Sequence, residues 1–333
     1  MDGKEVKLII GFIIYGKEIY KYLPYFLDSL KKQAYKDYKI LAVDNSDMED
    51  KDNESFDFIK KNYLEIKIEQ AGKNLGFARA HNRIISQAMA AGAKYYLSLN
   101  SDMILEPDAI EKMVQAMEAD GALGSASPKI FKWGFPNNRK TKIIDTCGIV
   151  LQPGLRFEDL GQGQKDDGRF DKAEILGPSG AAAMYRLSAL EKVKTSPQPS
   201  PCRGEGEKSE YFDELIFMYK EDCDLAYRLF LSGYKSKFVS EAVVYHDRTI
   251  SAKGNNNWQI ALNRLNKSKQ AKNWAFLNQH IIFIKYWKPQ NFKNKLAIIW
   301  YALKMFLFVL IFEQYLLGQY VKLYKLRKRI IKY

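Results

Sequence analysis

Tyr95-Tyr96-Leu97-Ser98-Leu99-Asn100-Ser101-Asp102 is the stretch on which the fold turns: a β-type apolar run that ends abruptly in a polar triplet. Upstream, residues 7–14 and 38–43 repeat the apolar run, and the second is followed at once by Asp44-Asn45-Ser46. Ile, Leu and Val without polar alternation describe strands buried on both faces. A further strand is predicted at 65–69, and helical patterns occupy 22–33 (opened by Pro24), 55–62, 77–91 and 107–119. This β-α-β-α alternation predicts an α/β fold with a Rossmann-like, mostly parallel sheet flanked by helices. In such sheets ligands bind outside the carboxyl ends of the strands, so both triplets are expected on one rim. One strand-end Asp is ordinarily a turn former or helix cap; two such clusters on the same edge point to a site.

Three later segments carry chemistry-bearing residues. Asn74-Leu75-Gly76-Phe77-Ala78-Arg79-Ala80-His81-Asn82 stands at the start of a helix. There Gly76 permits close backbone approach, the helix end offers N–H groups and Arg79 adds a cation, which suits a diphosphate or its nucleoside. Neither a G-x-x-x-x-G-K-[ST] loop nor a G-x-G-x-x-G fingerprint occurs in the chain. Residues 212–228 crowd Asp213, Glu214, Glu221, Asp222 and Asp224 into an aromatic and apolar stretch. The last three open a helix expected to reach Ser232, where a single carboxylate would serve the macrodipole. Neighbouring acids in apolar surroundings raise one another's pKa, which turns a carboxylate into a useful base. Val243-Val244-Tyr245-His246-Asp247 places one of three histidines after a strand-like run, as a structural group or a metal ligand.

The chain has 333 residues, 47% of them hydrophobic, enough for a substantial core, and a net charge of +13 that calls for an anionic partner. Eleven Lys and Arg fall between positions 285 and 332, Lys285 among them, interleaved with apolar residues. That pattern suits an anionic membrane surface and disfavours nucleic acid, which would want an exposed aromatic platform. Residues 296–321 are apolar, but Lys304 and Glu313 interrupt them before an uncharged stretch of about 18 residues accumulates. A charge at the bilayer centre costs roughly 2.5–3.5 kcal/mol, so helices lying in the interface are expected rather than a span. The alternative is a helix packed on the catalytic domain. Cys147, Cys202 and Cys223 form no C-x-x-C pair, which supports neither a disulfide framework nor a thiolate zinc site and suits a reducing compartment. The run at 8–14 lacks a small-residue cleavage site and reads as a buried strand, not a signal peptide. Residues 195–210 read as a flexible insertion with no essential role. The expected division is a catalytic domain over 1–250 and a helical, basic membrane-associated region over 251–333.

In this order the segments resemble glycosyltransferase family 2, especially its rhamnosyltransferase-like bacterial members, over residues 7–251. The matching elements are Val43-Asp44-Asn45-Ser46, Asn74-Leu75-Gly76-Phe77-Ala78 with Asn82, and Leu99-Asn100-Ser101-Asp102. Ser179-Gly180-Ala181, Phe212-Asp213-Glu214, Glu221-Asp222-Cys223-Asp224-Leu225 and His246 follow. The resemblance implies a GT-A fold and an inverting transfer of a sugar, rhamnose by subfamily, from a nucleotide-diphosphate donor to a glycan or lipid-linked hydroxyl. It implies a divalent Mg2+ or Mn2+ ion on Asp102 and His246. Asp222 is expected as general base with Glu221 beside it, and Asp44 as the nucleobase or ribose contact. Asn74, Gly76, Arg79, Asn82 and Asn100 are expected around the nucleotide, and Ser179 and Gly180 along the donor or acceptor site. The triplet Asn100-Ser101-Asp102 departs from the family's D-x-D pattern in having one carboxylate. The implied setting is cell-envelope polysaccharide synthesis in the cytoplasm, peripherally on the inner face of the membrane.

Two alternatives stand beside this reading. A sugar-1-phosphate nucleotidyltransferase would want a basic Gly-rich loop that residues 11–17 lack. A non-catalytic, membrane-bound nucleotide-sugar-binding protein would have little use for the acids beside Phe217 and Tyr219.

Overall fold

The computed structural model describes residues 6–47, 54–195, 210–248 and 268–330. Cys202, nearly all of the expected insertion and the expected boundary at 250/251 lie outside the described residues. Strands β1 (Leu8–Ile14), β2 (Tyr38–Asp44), β3 (Lys67–Gln70) and β4 (Tyr95–Asn100) stand where the apolar runs put them, in the order β3-β2-β1-β4 and all parallel. Helices α1 (Leu23–Lys31), α2 (Glu54–Asn62) and α3 (Gly76–Ala90) connect them. After the short β5 (Met103–Leu105) and α4 (Ala109–Ala119), the chain adds β6 (Leu123–Gly134), β7 (Arg139–Thr146) and a separate hairpin of β8 (Ile149–Gln152) and β9 (Arg156–Asp159). Then come β10 (Ala182–Arg186), α5 (Leu187–Val193), α6 (Glu221–Leu231) and β11 (Lys235–His246).

The full sheet runs β3-β2-β1-β4-β10-β6-β11-β5, with β7 on β6. β10 is antiparallel to both neighbours, so β1, β2, β3, β4, β6 and β11 run one way and β5, β7 and β10 the other. The stretch after residue 120 thus completes the sheet. β6 reads LGSASPKIFKWG, small and polar enough to pass for a loop, yet it is buried along nearly its whole length.

β1 shows why the layers form. Leu8, Ile10, Phe12 and Ile14 pack on Phe26, Leu27 and Leu30 of α1 and on Ile110, Met113 and Met117 of α4. Ile9 packs on the other face with Ile84 and Ile85 of α3 and Leu225 and Leu229 of α6. Alternate residues point to opposite faces, so a strand that is apolar throughout must be covered twice. Each fully buried Leu, Ile or Phe contributes about 1.5–3 kcal/mol. That burial holds α1, at nine residues too short to persist alone.

The carboxy-terminal helices are α7 (Lys269–Lys285), α8 (Phe292–Phe312) and α9 (Gly318–Leu326). Ile282, Phe283 and Tyr286 pack with Cys223 and Tyr227 of α6, with Ile149 and Phe157 of the hairpin, and with Ile298 of α8. Lys285, counted above among the membrane-facing cations, is 0% exposed; this corrects that placement. Glu313 does not interrupt an apolar helix but ends α8 and pairs with Lys272 at 3.1 Å. Among the described residues α8 alone is long and apolar enough to cross a membrane, by length and composition. Its Ile298 and Val309 are buried, while Ile299, Trp300, Leu303, Leu310 and Phe312 are exposed.

Candidate active site

The register of β1 sets the rim. Ile14 lies opposite Asp44 and Ile13 opposite Asn100, so the two polar triplets flank the carboxyl end of one strand. The β1 carbonyls need donors where the ladder ends. Asn45 N–H supplies one to the Ile14 carbonyl at 2.8 Å, and Ser101 Oγ another to Ile13 at 3.0 Å. Asp44 is buried, and its Oδ1 accepts the Ser46 N–H at 3.1 Å.

Asn45 also fastens the next segment. Its Oδ1 accepts the Leu75 N–H at 2.8 Å, and its Nδ2 donates to Asn74 Oδ1 at 3.2 Å and to the Gly76 carbonyl at 3.3 Å. Asn74 Oδ1 accepts the Gly76 N–H at 2.9 Å, and the Phe77 N–H donates to the Phe217 carbonyl at 3.1 Å. The start of α3 therefore does not offer these donors to a phosphate. Gly76, at φ +76°, makes its close approach to Phe217: a Cβ there would lie 2.5 Å from the Phe217 carbonyl oxygen. Asn82 is buried and its amide is saturated. Its Oδ1 accepts from the Tyr211 and Phe212 N–H groups (3.2 and 2.8 Å), and its Nδ2 donates to the Phe212 carbonyl (2.8 Å) and Glu214 Oε1 (3.1 Å). Arg79 pairs with Glu214 at 2.7 Å. Asn82 and Gly76 thus help to shape the loop at 211–217, and Asn74 helps to fix the entry to α3.

That loop and α6 hold the acids, and the structure sorts them. Lys285 bonds Asp213 Oδ2 at 2.5 Å and Asp224 Oδ1 at 2.7 Å, Arg228 bonds Asp224 Oδ2 at 2.9 Å, and Tyr286 O–H donates to Asp224 Oδ1 at 2.7 Å. Burial pushes Asp224 up, but the Lys285 and Arg228 charges outweigh it and hold it below its ordinary value. Removing one partner of so buried a set costs about 3–5 kcal/mol. Asp213 and Asp224 are therefore structural. Just before α6, Tyr219 (φ 69°) and Lys220 (φ 77°) both adopt left-handed backbone. Such strain costs about 1–3 kcal/mol per residue and persists only where the surroundings enforce it.

Asp222 is half-buried. Its Oδ2 accepts the Gly180 N–H at 2.9 Å and its Oδ1 the Cys223 N–H at 2.7 Å. Glu221 is 6% exposed. Burial, and then the charge of Asp222, drive the Glu221 carboxyl well above its ordinary pKa, and its Oε2 has no hydrogen-bond partner among the described residues. The raised acid of the pair is thus Glu221. Ser179 is buried, its carbonyl accepting the Ala182 N–H at 3.2 Å. The Ala181 carbonyl accepts the Asn100 N–H at 2.8 Å. Gly180 and Ala181 therefore tie Asp222 to the chain two residues before Asp102.

His246 lies opposite Met103 in the β11–β5 ladder. Its Nε2 faces Asp102 Oδ1 at 3.2 Å and its Nδ1 faces Asp145 Oδ2 at 2.9 Å. Burial depresses the imidazole, but the two carboxylates outweigh it and raise its pKa to about 10. Asp145, fully buried, is pushed up by burial and brought below its ordinary value by His246. Arg248 pairs with Asp159 at 3.0 Å and Asp145 at 3.6 Å, and the charge of Asp222 also acts on it.

Among the described residues no three His, Cys, Asp or Glu side chains are grouped to hold an ion. Asp102 and His246 nevertheless bring an oxygen and a nitrogen to one point, with the ring oriented through its other nitrogen by Asp145. Two protein donors suit Mg2+ or Mn2+, which keep waters and take further ligands from substrate phosphates. The two residues fit the ion that the resemblance implies.

Asp145, Arg248, Asn45, Asn278 and Lys285 were not singled out as site residues from the sequence. A carboxylate inside Ile143-Ile144-Asp145-Thr146 is an anomaly that marks Asp145 in hindsight, and Arg248 lies two places after His246. Nothing local links Lys285 to Asp213, 72 positions away.

Residues 10–194, more than half of the chain, match the family described as Glycosyl transferase family 2. The chain is 25% identical over 245 residues to the N-acetylglucosaminyl-diphospho-decaprenol L-rhamnosyltransferase of Mycobacterium tuberculosis, strains CDC 1551 / Oshkosh and ATCC 25618 / H37Rv. That alignment covers 69% of this chain and 73% of the relative. The crystal structure of GalNAc-T7 with UDP, GalNAc and Mn2+ is similar in fold, with a TM-score of 0.57 at 14% identity. The likeness covers 86% of this chain and 50% of that one.

Proposed function

This chain belongs to glycosyl transferase family 2, and from that premise we propose an inverting, metal-assisted sugar transfer from a nucleotide-diphosphate donor to an acceptor hydroxyl. It is a glycosyltransferase with a GT-A fold. The observation that carries the finer reading is one rim on which Asp102 meets His246 while Gly180 orients Asp222 nearby.

In this mechanism Asp44, at the end of β2, receives the nucleobase or ribose, with Arg79 and Asn100 beside the nucleotide. Asp102 and His246 would hold a Mg2+ or Mn2+ ion, which supplies positive charge to the leaving diphosphate. Gly180 and Cys223 N–H groups point the Asp222 carboxylate, which takes the proton of the acceptor hydroxyl. The acceptor oxygen bonds the anomeric carbon as the bond to the diphosphate oxygen breaks, and the nucleoside diphosphate departs with the electron pair. A single displacement inverts the carbon and needs no second carboxylate as nucleophile. Buried Glu221 stands beside this base. Ser179 and Gly180 line the acceptor side.

The name of the Mycobacterium tuberculosis relative supports rhamnose as the sugar and a lipid-diphosphate-linked saccharide as the acceptor. The exposed apolar face of α8 and its basic neighbours support work on an anionic membrane surface, at the cytoplasmic face. The nucleotidyltransferase and the non-catalytic alternatives have no observation in their favour.

The test is a donor screen with Mn2+ that measures nucleoside diphosphate release. Turnover with a nucleotide-activated rhamnose is expected, and Asp222→Asn should lower it by about 10²–10⁴-fold, the usual worth of a general base. Release from no donor, or equal rates for the variant, would sink the proposal.

A further inference from the structure

We infer that α7 belongs to the catalytic apparatus, and that Asn278, seconded by Lys285, positions the turn from which Asp222 is presented. The inference rests on the reading of Asp222 as the base. The left-handed backbone at Tyr219 and Lys220 immediately precedes Glu221 and Asp222, so the conformation of this turn sets where the carboxylate points. Such a turn needs an external hold.

Asn278 supplies it. Its Nδ2 donates to the Met218 and Tyr219 carbonyls, both at 2.8 Å, and the residue is 1% exposed. From α3, the Phe77 N–H holds the Phe217 carbonyl at 3.1 Å. Three consecutive carbonyls are thus clamped between α3 and α7. Lys285 closes the same loop at both ends, at Asp213 before it and Asp224 after it. Asn278 and Lys285 act on the rim only through this backbone, so both are positioning residues.

Full-length Asn278→Leu, close in size, leaves both carbonyls without their donor. Measured quantities are kcat, donor KM, nucleoside diphosphate Kd by calorimetry, and thermal midpoint. The expected result is a kcat lower by about 10- to 10²-fold, the scale of an ångström-sized misplacement of a catalytic group, with donor KM and Kd changed by no more than about twofold. Asn278→Ser, whose hydroxyl ends one bond short of the Nδ2 position and cannot span the two carbonyls, should show the same kcat loss; it carries the same decision should the Leu variant not fold. A folded variant with unchanged kcat overturns the inference. So does a loss of donor affinity in step with kcat, which marks a merely structural role. Asp222→Asn run in parallel separates the two claims. If it keeps its kcat, the base assignment fails and this inference with it; if it loses kcat while both Asn278 variants keep theirs, the positioning role alone fails.

Discussion

Burial alone would strip the proton from His246, yet Asp102 and Asp145 hold it by opposite ring nitrogens and raise its pKa from 6.5 to about 10. A folded-state pKa above the unfolded value stabilises the fold fully below about pH 6.5, and that stabilisation is lost as the pH rises through about 10. Chelator-treated protein should therefore lose thermal midpoint across this window more steeply than His246→Gln. Coincident pH curves for the two proteins would count against a charged imidazole. An ion held by Asp102 and His246 would compete with this proton, so Mn2+ affinity should strengthen with pH. Here the sequence was informative to a degree. His246 follows an apolar strand and Asp102 ends another, and both were legible as candidates. That Asp145 completes the arrangement was not, because its partner lies 101 positions away across the sheet.

The start of α3 makes a contact that its own sequence does not announce. Its Asn-Leu-Gly-Phe-Ala run reads as a place for a phosphate, but the fold brings Phe217 against Gly76 and turns the first N–H groups onto protein. Gly76→Ala combines a left-handed φ with a Cβ 2.5 Å from a backbone oxygen. It should cost at least about 1–2 kcal/mol in urea unfolding from the backbone conformation alone. A variant as stable as wild type would show that this helix start is not pinned against Phe217. The acids of α6 teach a related lesson. Spacing marked Glu221, Asp222 and Asp224 as one cluster, whereas packing gives Asp224 to Lys285 and Arg228, hides Glu221, and leaves Asp222 at the rim.

For the molecule as a whole, the late basic and apolar sequence divides into two parts. α7 is core, fixed by Lys285, Asn278 and Gln279, the last donating to the Leu155 carbonyl at 3.0 Å. α8 turns Ile298 inward and leaves Ile299, Leu303 and Leu310 exposed at 53%, 43% and 45%. Truncation ahead of α8 would uncover the core around Ile298, so substitutions on the outer face are the cleaner test. The triple variant Ile299→Glu, Leu303→Glu, Leu310→Glu should stop co-sedimenting with anionic vesicles while donor turnover in solution is retained. Unchanged sedimentation would refute a membrane role for this face.

The sequence by itself determined the parallel half of the sheet and the polar triplets on one rim, because strand periodicity and strand-end residues are local properties readable within a few positions; the family was legible through the resemblance of its ordered motifs. The tertiary structure alone decided which acids remain available for chemistry and that α7 is built into the site. Those outcomes depend on which buried charge or amide meets which carbonyl across 59 to 72 positions, and packing, not local pattern, chooses those partners.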